Sequence, residues 1–275
     1  MLLSRTVYAR DLNEAWWRCI RETLDYGREY TISEGSYAGQ KRKELEFVYV
    51  EIEKPSTRPL VPIVPGGLPA PTHIGYVEQE YLPYLMASIS SGEEQYTYGE
   101  DVEYQYSKIV EMYKRGHNTN QACFSIGSRY SVDLSSPQCL RLIDTRVMNG
   151  KLVFFVYFRS WDLFGGFPVN LAAIQLMKEG MADEIGVKDG ELVAMSKGLH
   201  LYDHHWQLGM AVTGALPTVD KYDALRETDS RWREAHKGSG FKPSSFLILD
   251  GEVSLERTHI HGNEASFNMY TNPGE

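Results

Sequence analysis

Two hydrophobic periods organise the chain. Leu12, Trp16, Cys19, Ile20 and Leu24 recur at helical spacing behind Asp11-Leu12-Asn13-Glu14, which predicts an amphipathic helix after a short apolar N-terminal strand. The segment Tyr30 to Gln40 reads as a loop. The basic triplet Lys41-Arg42-Lys43 then opens a strand over Leu45 to Ile52, either as a solvated start or as a phosphate contact. Residues 55–72 hold six prolines and two glycines, which predicts an extended loop. Helical spacing returns over Ile74 to Ser91, through Tyr76, Tyr81, Tyr84 and Leu85, and again over Val102 to Lys114, ended by Gly116. A strand is expected over Ala122 to Ile126, with Cys123 in the core. Leu171, Ile174, Met177 and Met181 mark a helix running through Ile185, with Pro168 near its first turn. Glu191 to Met195 reads as a strand that continues as extended chain through Gly198 to Tyr202.

The strongest local signal is a hairpin. Asn149-Gly150 supplies the two positive-φ residues of a tight turn, and Leu152 to Phe158 is apolar and β-branched or aromatic almost throughout. Antiparallel pairing about that turn brings Cys139 beside Arg159 and Ser160. A thiol near a guanidinium and a hydroxyl suits a nucleophile acting on an anionic substrate. The same residues also fit a buried cysteine next to a salt-bridged arginine, and the hairpin alone leaves both readings open.

Composition narrows the classes. A net charge of −9 argues against an electrostatic nucleic-acid binder, while a nucleotide monomer needs only a local cationic pocket. Three cysteines without a C-x-x-C pair make neither a disulfide framework nor a zinc site. His259-x-His261 has metal-compatible spacing but no evident third ligand, so no metal is expected. Neither a long apolar run nor an apolar N-terminal stretch is present, so a cytoplasmic protein without membrane partners is expected. The tail beyond Gln207 shows a charged, helix-like stretch over Tyr222 to His236 and a strand-like Ser245 to Leu249.

The order of four motifs is more specific than any one of them. Tyr98-Gly99, then Pro137-Gln138-Cys139, then F-R-S-W-D-L-F-G-G-F-P-V-N over 158–170, then His200-Leu201-Tyr202 resembles the thymidylate synthase family, which includes the pyrimidine nucleotide hydroxymethylases. The resemblance runs from about Tyr98 to Gln207. It implies an α+β fold, with a large mixed or antiparallel β-sheet and flanking helices. Residues 1–275 would form a single domain with a divergent C-terminal extension from about 208. It implies a homodimer whose partners are a pyrimidine nucleoside monophosphate and a folate or related pterin. It also implies methylation of dUMP to dTMP with 5,10-methylenetetrahydrofolate as co-substrate, and no metal.

Residue by residue, Cys139 would add to C6 of the pyrimidine, with Tyr98 near the reacting centre. Arg159 and Ser160 would bind phosphate, and Asn170 would read the O4/N3 edge. His200 and Tyr202 would hold the sugar, and Asp162 and Gly166 would lie against the pterin. Asn170 favours uracil, since cytosine-specific relatives tend to carry Asp there. Departures from the pattern matter too. Gln138 and Leu140 flank Cys139 where the family usually shows Pro-Cys-His, and Thr119-Asn120-Gln121 stands where a phosphate-binding Arg-Arg pair is usual. Arg42 is therefore the candidate second phosphate ligand, with Arg129 or Arg141 behind it. Glu80 is the candidate catalytic glutamate, preferred over Glu78. A shortened segment before Tyr98 and an unfamiliar C-terminus leave C5 hydroxymethylation of dUMP, dCMP or CMP as the alternative. A non-catalytic nucleotide-binding relative is the remaining reading.

Overall fold

The computed structural model describes residues 3–34, 37–65, 68–88 and 96–214, together with the backbone of two short strands at 247–249 and 252–254. The elements begin with β1 (Ser4–Ala9), α1 (Leu12–Tyr26), β2 (Arg28–Thr31), β3 (Lys41–Leu45) and β4 (Phe47–Ile52). Next, α2 (Ile74–Tyr76), a π-helical turn (Val77–Tyr81) and α3 (Leu82–Met86) run on from one another, followed by α4 (Gly99–Arg115). The hairpin region comprises β5 (Cys123–Ser125), β6 (Leu140–Met148), β7 (Lys151–Phe158) and β8 (Trp161–Asp162). Then come α5 (Gly166–Ile185), β9 (Lys188–Ser196), β10 (Leu199–Tyr202), α6 (Trp206–Val212), and the paired β11 (Leu247–Leu249) and β12 (Glu252–Ser254).

This is the expected α+β architecture. A six-stranded mixed sheet has the order β1-β4-β9-β7-β6-β5, and a four-stranded sheet has the order β2-β3-β10-β8. The hairpin forms as predicted, with Asn149 at φ 52° and Gly150 at φ 73°. Alternation along its strands sorts the two faces. Leu152, Phe154, Val156 and Phe158 are almost wholly buried, as are their neighbours Leu192, Ala194, Val48, Val50 and Ile143. Helices α1 and α5 pack against this face, and α3 and α4 pack on α5. Because neighbours surround it, α5 is buried nearly all round and carries little amphipathic pattern. At the head of α1, the Asp11 side chain accepts from the Glu14 amide at 2.9 Å while Glu14 accepts from the Arg10 amide at 2.8 Å. This reciprocal cap fixes where the helix starts.

Three neighbouring chains pass from one sheet to the other at the same level. They cross between β3 and β4 at Glu46, between β7 and β8 at Arg159-Ser160, and between β9 and β10 at Lys197-Gly198. The bend is tight: a Cβ on Gly198 would sit 3.3 Å from the Arg159 carbonyl. Arg159 and Ser160 therefore lie on the crease, and His200 lies just past it.

Several expectations change. Tyr30 ends in β2 rather than opening a loop, because β3 extends the basic triplet into a paired strand. Lys41-Arg42-Lys43 is thus strand, and the single strand over Leu45 to Ile52 is two strands in two sheets. Gly198 to Tyr202 likewise belongs to the second sheet. The helix from Ile74 ends at Met86, short of Ser91, and carries the π turn. Pro83 explains that turn, since it has no N–H for the carbonyl one turn back and its ring crowds that carbonyl. The next helix starts at Gly99, three residues before Val102. Cys123 is half-buried on the outer face of the edge strand β5, paired with Asp144, and is not core. Cys19 is fully buried in α1, and burial pushes its thiol well up, as a packing residue should behave. The helix-like stretch over 222–236 and the His259/His261 pair lie outside the described residues.

Candidate active site

Cys139 stands at the mouth of the hairpin, just before β6, and is 5% exposed. The Arg159 amide donates to the Cys139 carbonyl at 2.8 Å, closing the strand ends as the sequence predicts. The Arg159 guanidinium folds back over the same segment. Its Nε donates to the Gln138 carbonyl at 3.1 Å and its Nη2 to the Pro137 carbonyl. A positive charge is thereby fixed beside the cysteine by the backbone that carries it. On the other side the Tyr98 hydroxyl accepts from the Leu140 amide at 3.2 Å.

Tyrosines form one wall. Tyr81 and Tyr84 have ring centroids 5.6 Å apart, Tyr84 and Tyr98 are 5.3 Å apart, and Tyr96 and Tyr98 are 5.9 Å apart. Burial pushes the phenols of Tyr81, Tyr96 and Tyr98 up, and neighbouring tyrosines and Cys139 push the same way. All three rings are therefore neutral and within electrostatic reach of the thiol. The Tyr96 hydroxyl is buried without a hydrogen-bond partner.

Asn170, on the first turns of α5, joins this wall. Its Oδ1 accepts from the Trp161 indole N–H at 2.8 Å, and its Nδ2 donates to the Tyr81 hydroxyl. Asp162 accepts from the amides of Phe164, Gly165 and Gly166 at 3.1, 3.1 and 2.9 Å, so it holds the loop that starts α5. The Trp16 indole ties that loop to α1 through the Leu163 carbonyl at 3.0 Å. Gly166 sits hard against Asp162, where a Cβ would come within 3.3 Å of the Asp162 Cβ.

The second sheet supplies the far side. His200 is fully buried, and its Nδ1 meets the Gly198 carbonyl at 2.9 Å, which places the proton there and leaves Nε2 as an acceptor. Nε2 has no partner. Burial, with the positive charges of Arg42 and Arg159, lowers the His200 pKa to about 3, so the ring is neutral. Tyr202 lies two residues on, its ring 4.8 Å from that of His200 and stacked at 4.6 Å on Tyr37. Arg42 pairs with Tyr202 across the β3–β10 ladder. It also forms an ion pair with Glu44 at 3.0 Å and hydrogen-bonds Tyr30, so its charge is already shared. Ser160 is half-buried on the crease.

Cys139, Tyr98, Arg159, Asn170, His200, Tyr202 and Arg42 thus form one neighbourhood. Glu80 does not join it. It is exposed on the π turn, and the next residue, Tyr81, is the one that turns inward. Glu78 is exposed too. Arg141 reaches only Gln138, at 3.5 Å, and Arg129 lies over the exposed ring of Tyr130. Sequence reasoning missed Tyr81, Tyr96 and Trp161 as site residues. The first was read only as part of a packing stripe, and the signal that could have found it is Pro83, which forces the added residue of the turn. A groove of about 380 Å³ beside the start of α1, lined by Arg10, Trp17, Arg58 and Ile63 among others, shares no residue with this neighbourhood. Among the described residues, no cluster of three or more His, Cys, Asp or Glu could hold a metal, and no helix is long and apolar enough to cross a membrane.

A mixed sheet creased along three strands, with a cysteine and an arginine meeting at the crease, is the α+β architecture that the motif resemblance implies. Comparison with known proteins agrees. The family model described as thymidylate synthase matches residues 87–213. A protein of Methanosarcina barkeri named "Putative thymidylate synthase" is 26% identical over 216 residues, which cover 75% of this chain and 93% of that one. Its Methanosarcina mazei counterpart is 26% identical over 215 residues with the same coverage. A thymidylate synthase of Listeria monocytogenes is 32% identical over 108 residues, 39% of this chain and 34% of that protein. These matches support a divergent thymidylate synthase-like family for this chain, and that family suggests a one-carbon transferase.

Proposed function

We propose that this protein transfers a one-carbon unit to C5 of dUMP and reduces it to a methyl group. The observation that carries this reading is the placement of Cys139 between a fixed guanidinium and the Tyr81–Asn170 pair. A pyrimidine monophosphate can then meet a thiolate, a cation and a base-reading amide at once. Cys139 adds to C6, which makes C5 a carbon nucleophile. Methylenetetrahydrofolate supplies the methylene and then the hydride, leaving dihydrofolate. The C5 proton is lost and Cys139 departs by elimination. Asn170 reads the base edge, His200 Nε2 and Tyr202 hold the sugar hydroxyl, and Arg159, Ser160 and Arg42 face the phosphate. Asp162, through the loop it anchors, and Gly166 shape the pterin side. Glu80, exposed as it is, has no part in this reading.

The second face of the six-stranded sheet, which no helix covers among the described residues, supports a homodimer. Phe47, Tyr49, Phe155, Tyr157, Leu142 and Met195 alternate with core residues and remain half-exposed together on that face. A patch of this kind fits a second copy of the chain.

Release of tritium from dUMP labelled at C5, with methylenetetrahydrofolate present, tests the proposal. No release above a Cys139→Ala control would refute it. Hydroxymethylation is the second reading, favoured by the solvent-facing placement of both glutamates on the π turn. It predicts the same tritium release with one extra oxygen in the product mass.

A further inference from the structure

Asn170 is held in an unusual way for a residue that must read a base. A carboxamide offers both a donor and an acceptor, and rotation by about 180° exchanges them. Rotated one way it complements uracil, by donating to O4 and accepting from N3–H. Rotated the other way it complements cytosine, by accepting from the amino group and donating to N3. A free asparagine therefore discriminates poorly between the two bases.

Here it is not free. The Trp161 indole can only donate, and it points at Asn170 Oδ1 from 2.8 Å. The indole itself cannot turn, being stacked between Phe158 at 4.2 Å and Phe167 at 4.5 Å. Trp161, Asn170 and Tyr81 are 2%, 5% and 3% exposed, so water offers no substitute bonds. The amide nitrogen can only donate, so the Tyr81 oxygen accepts from it. Reversing the amide would set N–H against N–H at Trp161 and leave a buried donor unpaired, which is unfavourable where no water can replace the bond.

We propose that Trp161, assisted by Tyr81, is the specificity-determining device of this site, locking the Asn170 carboxamide so that only one of the two bases is read. The inference rests on the nucleotide reading above. Trp161 and Tyr81 have unequal parts in it. A hydroxyl can donate or accept, so Tyr81 alone follows the amide whichever way it turns. The indole alone has fixed polarity. Trp161→Phe keeps the aromatic sandwich and removes the polarity, whereas Tyr81→Phe leaves the indole in command.

The test compares kcat/KM for dUMP and dCMP, measured by C5 tritium release, in wild type and both variants. The ratio is expected to fall on the order of tenfold in Trp161→Phe, with the rate on the disfavoured base rising in absolute terms. A smaller change is expected in Tyr81→Phe. A merely structural role lowers both substrates by one common factor. That result, or an unchanged ratio, overturns the proposal. Calorimetric binding of dUMP and dCMP gives a second readout. If Trp161→Phe does not fold, Trp161→Tyr, whose hydroxyl can donate or accept, takes its place, with a narrowed ratio of dissociation constants in favour and an unchanged ratio against. Wild type that binds one base selectively without releasing tritium sinks the methylation reading and leaves the lock standing. Wild type that binds neither sinks both.

Discussion

The amide of Arg159 and the carbonyl of Cys139 meet at 2.8 Å, so the cation and the thiol are joined through one backbone bond of the hairpin that carries both. The guanidinium bonds to the two carbonyls before Cys139 add a second tie. Replacing Arg159 by Gln should therefore do two things: lose the phosphate contact and loosen the cysteine segment. A charge-assisted bond of about 1.5–3 kcal/mol predicts a KM for dUMP raised roughly 10- to 100-fold. Binding of deoxyuridine, which has no phosphate, should change far less. Cys139→Ala should lower tritium release by about 10³-fold or more with nucleotide binding retained. Steady-state kinetics alongside calorimetry separates the two outcomes.

Gly150 tests the hairpin without touching the site. Its φ of 73° is left-handed, and a Cβ there would meet nothing within 4 Å. Gly150→Val should therefore cost backbone strain alone, about 1–2 kcal/mol in denaturant melts. The rate per folded molecule should stay at the wild-type value.

Gly99 is the opposite case. A Cβ there would lie 1.9 Å from the Ala87 carbonyl oxygen, so α4 could not start where it does. Gly99→Ala should destabilise by about 3 kcal/mol. It should also lower activity in the fraction that folds, because Tyr98, the preceding residue, loses its hold on the Leu140 amide.

Much of this was legible in the sequence because the chemistry is local. Asn149-Gly150 sets a turn, and a turn sets which residues face each other, so the Cys139–Arg159 meeting follows from the strands alone. Position 170 and the 200/202 pair were legible only through motif order, since their approach depends on the crease. That crease is invisible in composition: Leu45 to Ile52 reads as one strand, and only tertiary pairing breaks it at Glu46. Glu80 lies exposed for another reason. A π turn adds a residue and rotates the helix face by about 100°. Glu80 is expected from the family resemblance and not from helical spacing, and the turn leaves it exposed while Tyr81, already in the helical stripe, takes the inward position.

His200 should make stability depend on pH. Its folded pKa is lowered to about 3 from the ordinary 6.5, so the unfolded chain takes up a proton that the folded ring refuses. Its contribution is complete above about pH 6.5 and is lost as pH falls from there toward 3. The slope is at most about 1.4 kcal/mol per pH unit, one proton's worth. Urea melts at pH 7 and pH 5 should show wild type losing more stability than His200→Gln over that interval. Equal losses would mean that the ring is protonated in the fold.

The outer face of the six-stranded sheet gives the last prediction. Along β7, Phe154 and Val156 point into the core while Phe155 and Tyr157 point away from it. Register carries the same division across the sheet. Tyr157 pairs with Met195, Met195 with Tyr49 and Phe155 with Val193, so the apolar residues of three strands lie side by side. A stable homodimer needs on the order of 800 Å² from each partner, which a face spanning several strands can provide. Because a twofold contact uses the same patch twice, one substitution places two charges in the interface. Tyr49→Lys with Phe155→Lys should therefore convert the dimer to monomer in sedimentation velocity at micromolar concentration. The inward residues are untouched, so secondary structure should be preserved by circular dichroism. A wild-type chain that sediments as a monomer would remove the dimer from the proposal, and so would a double variant that still sediments as a dimer.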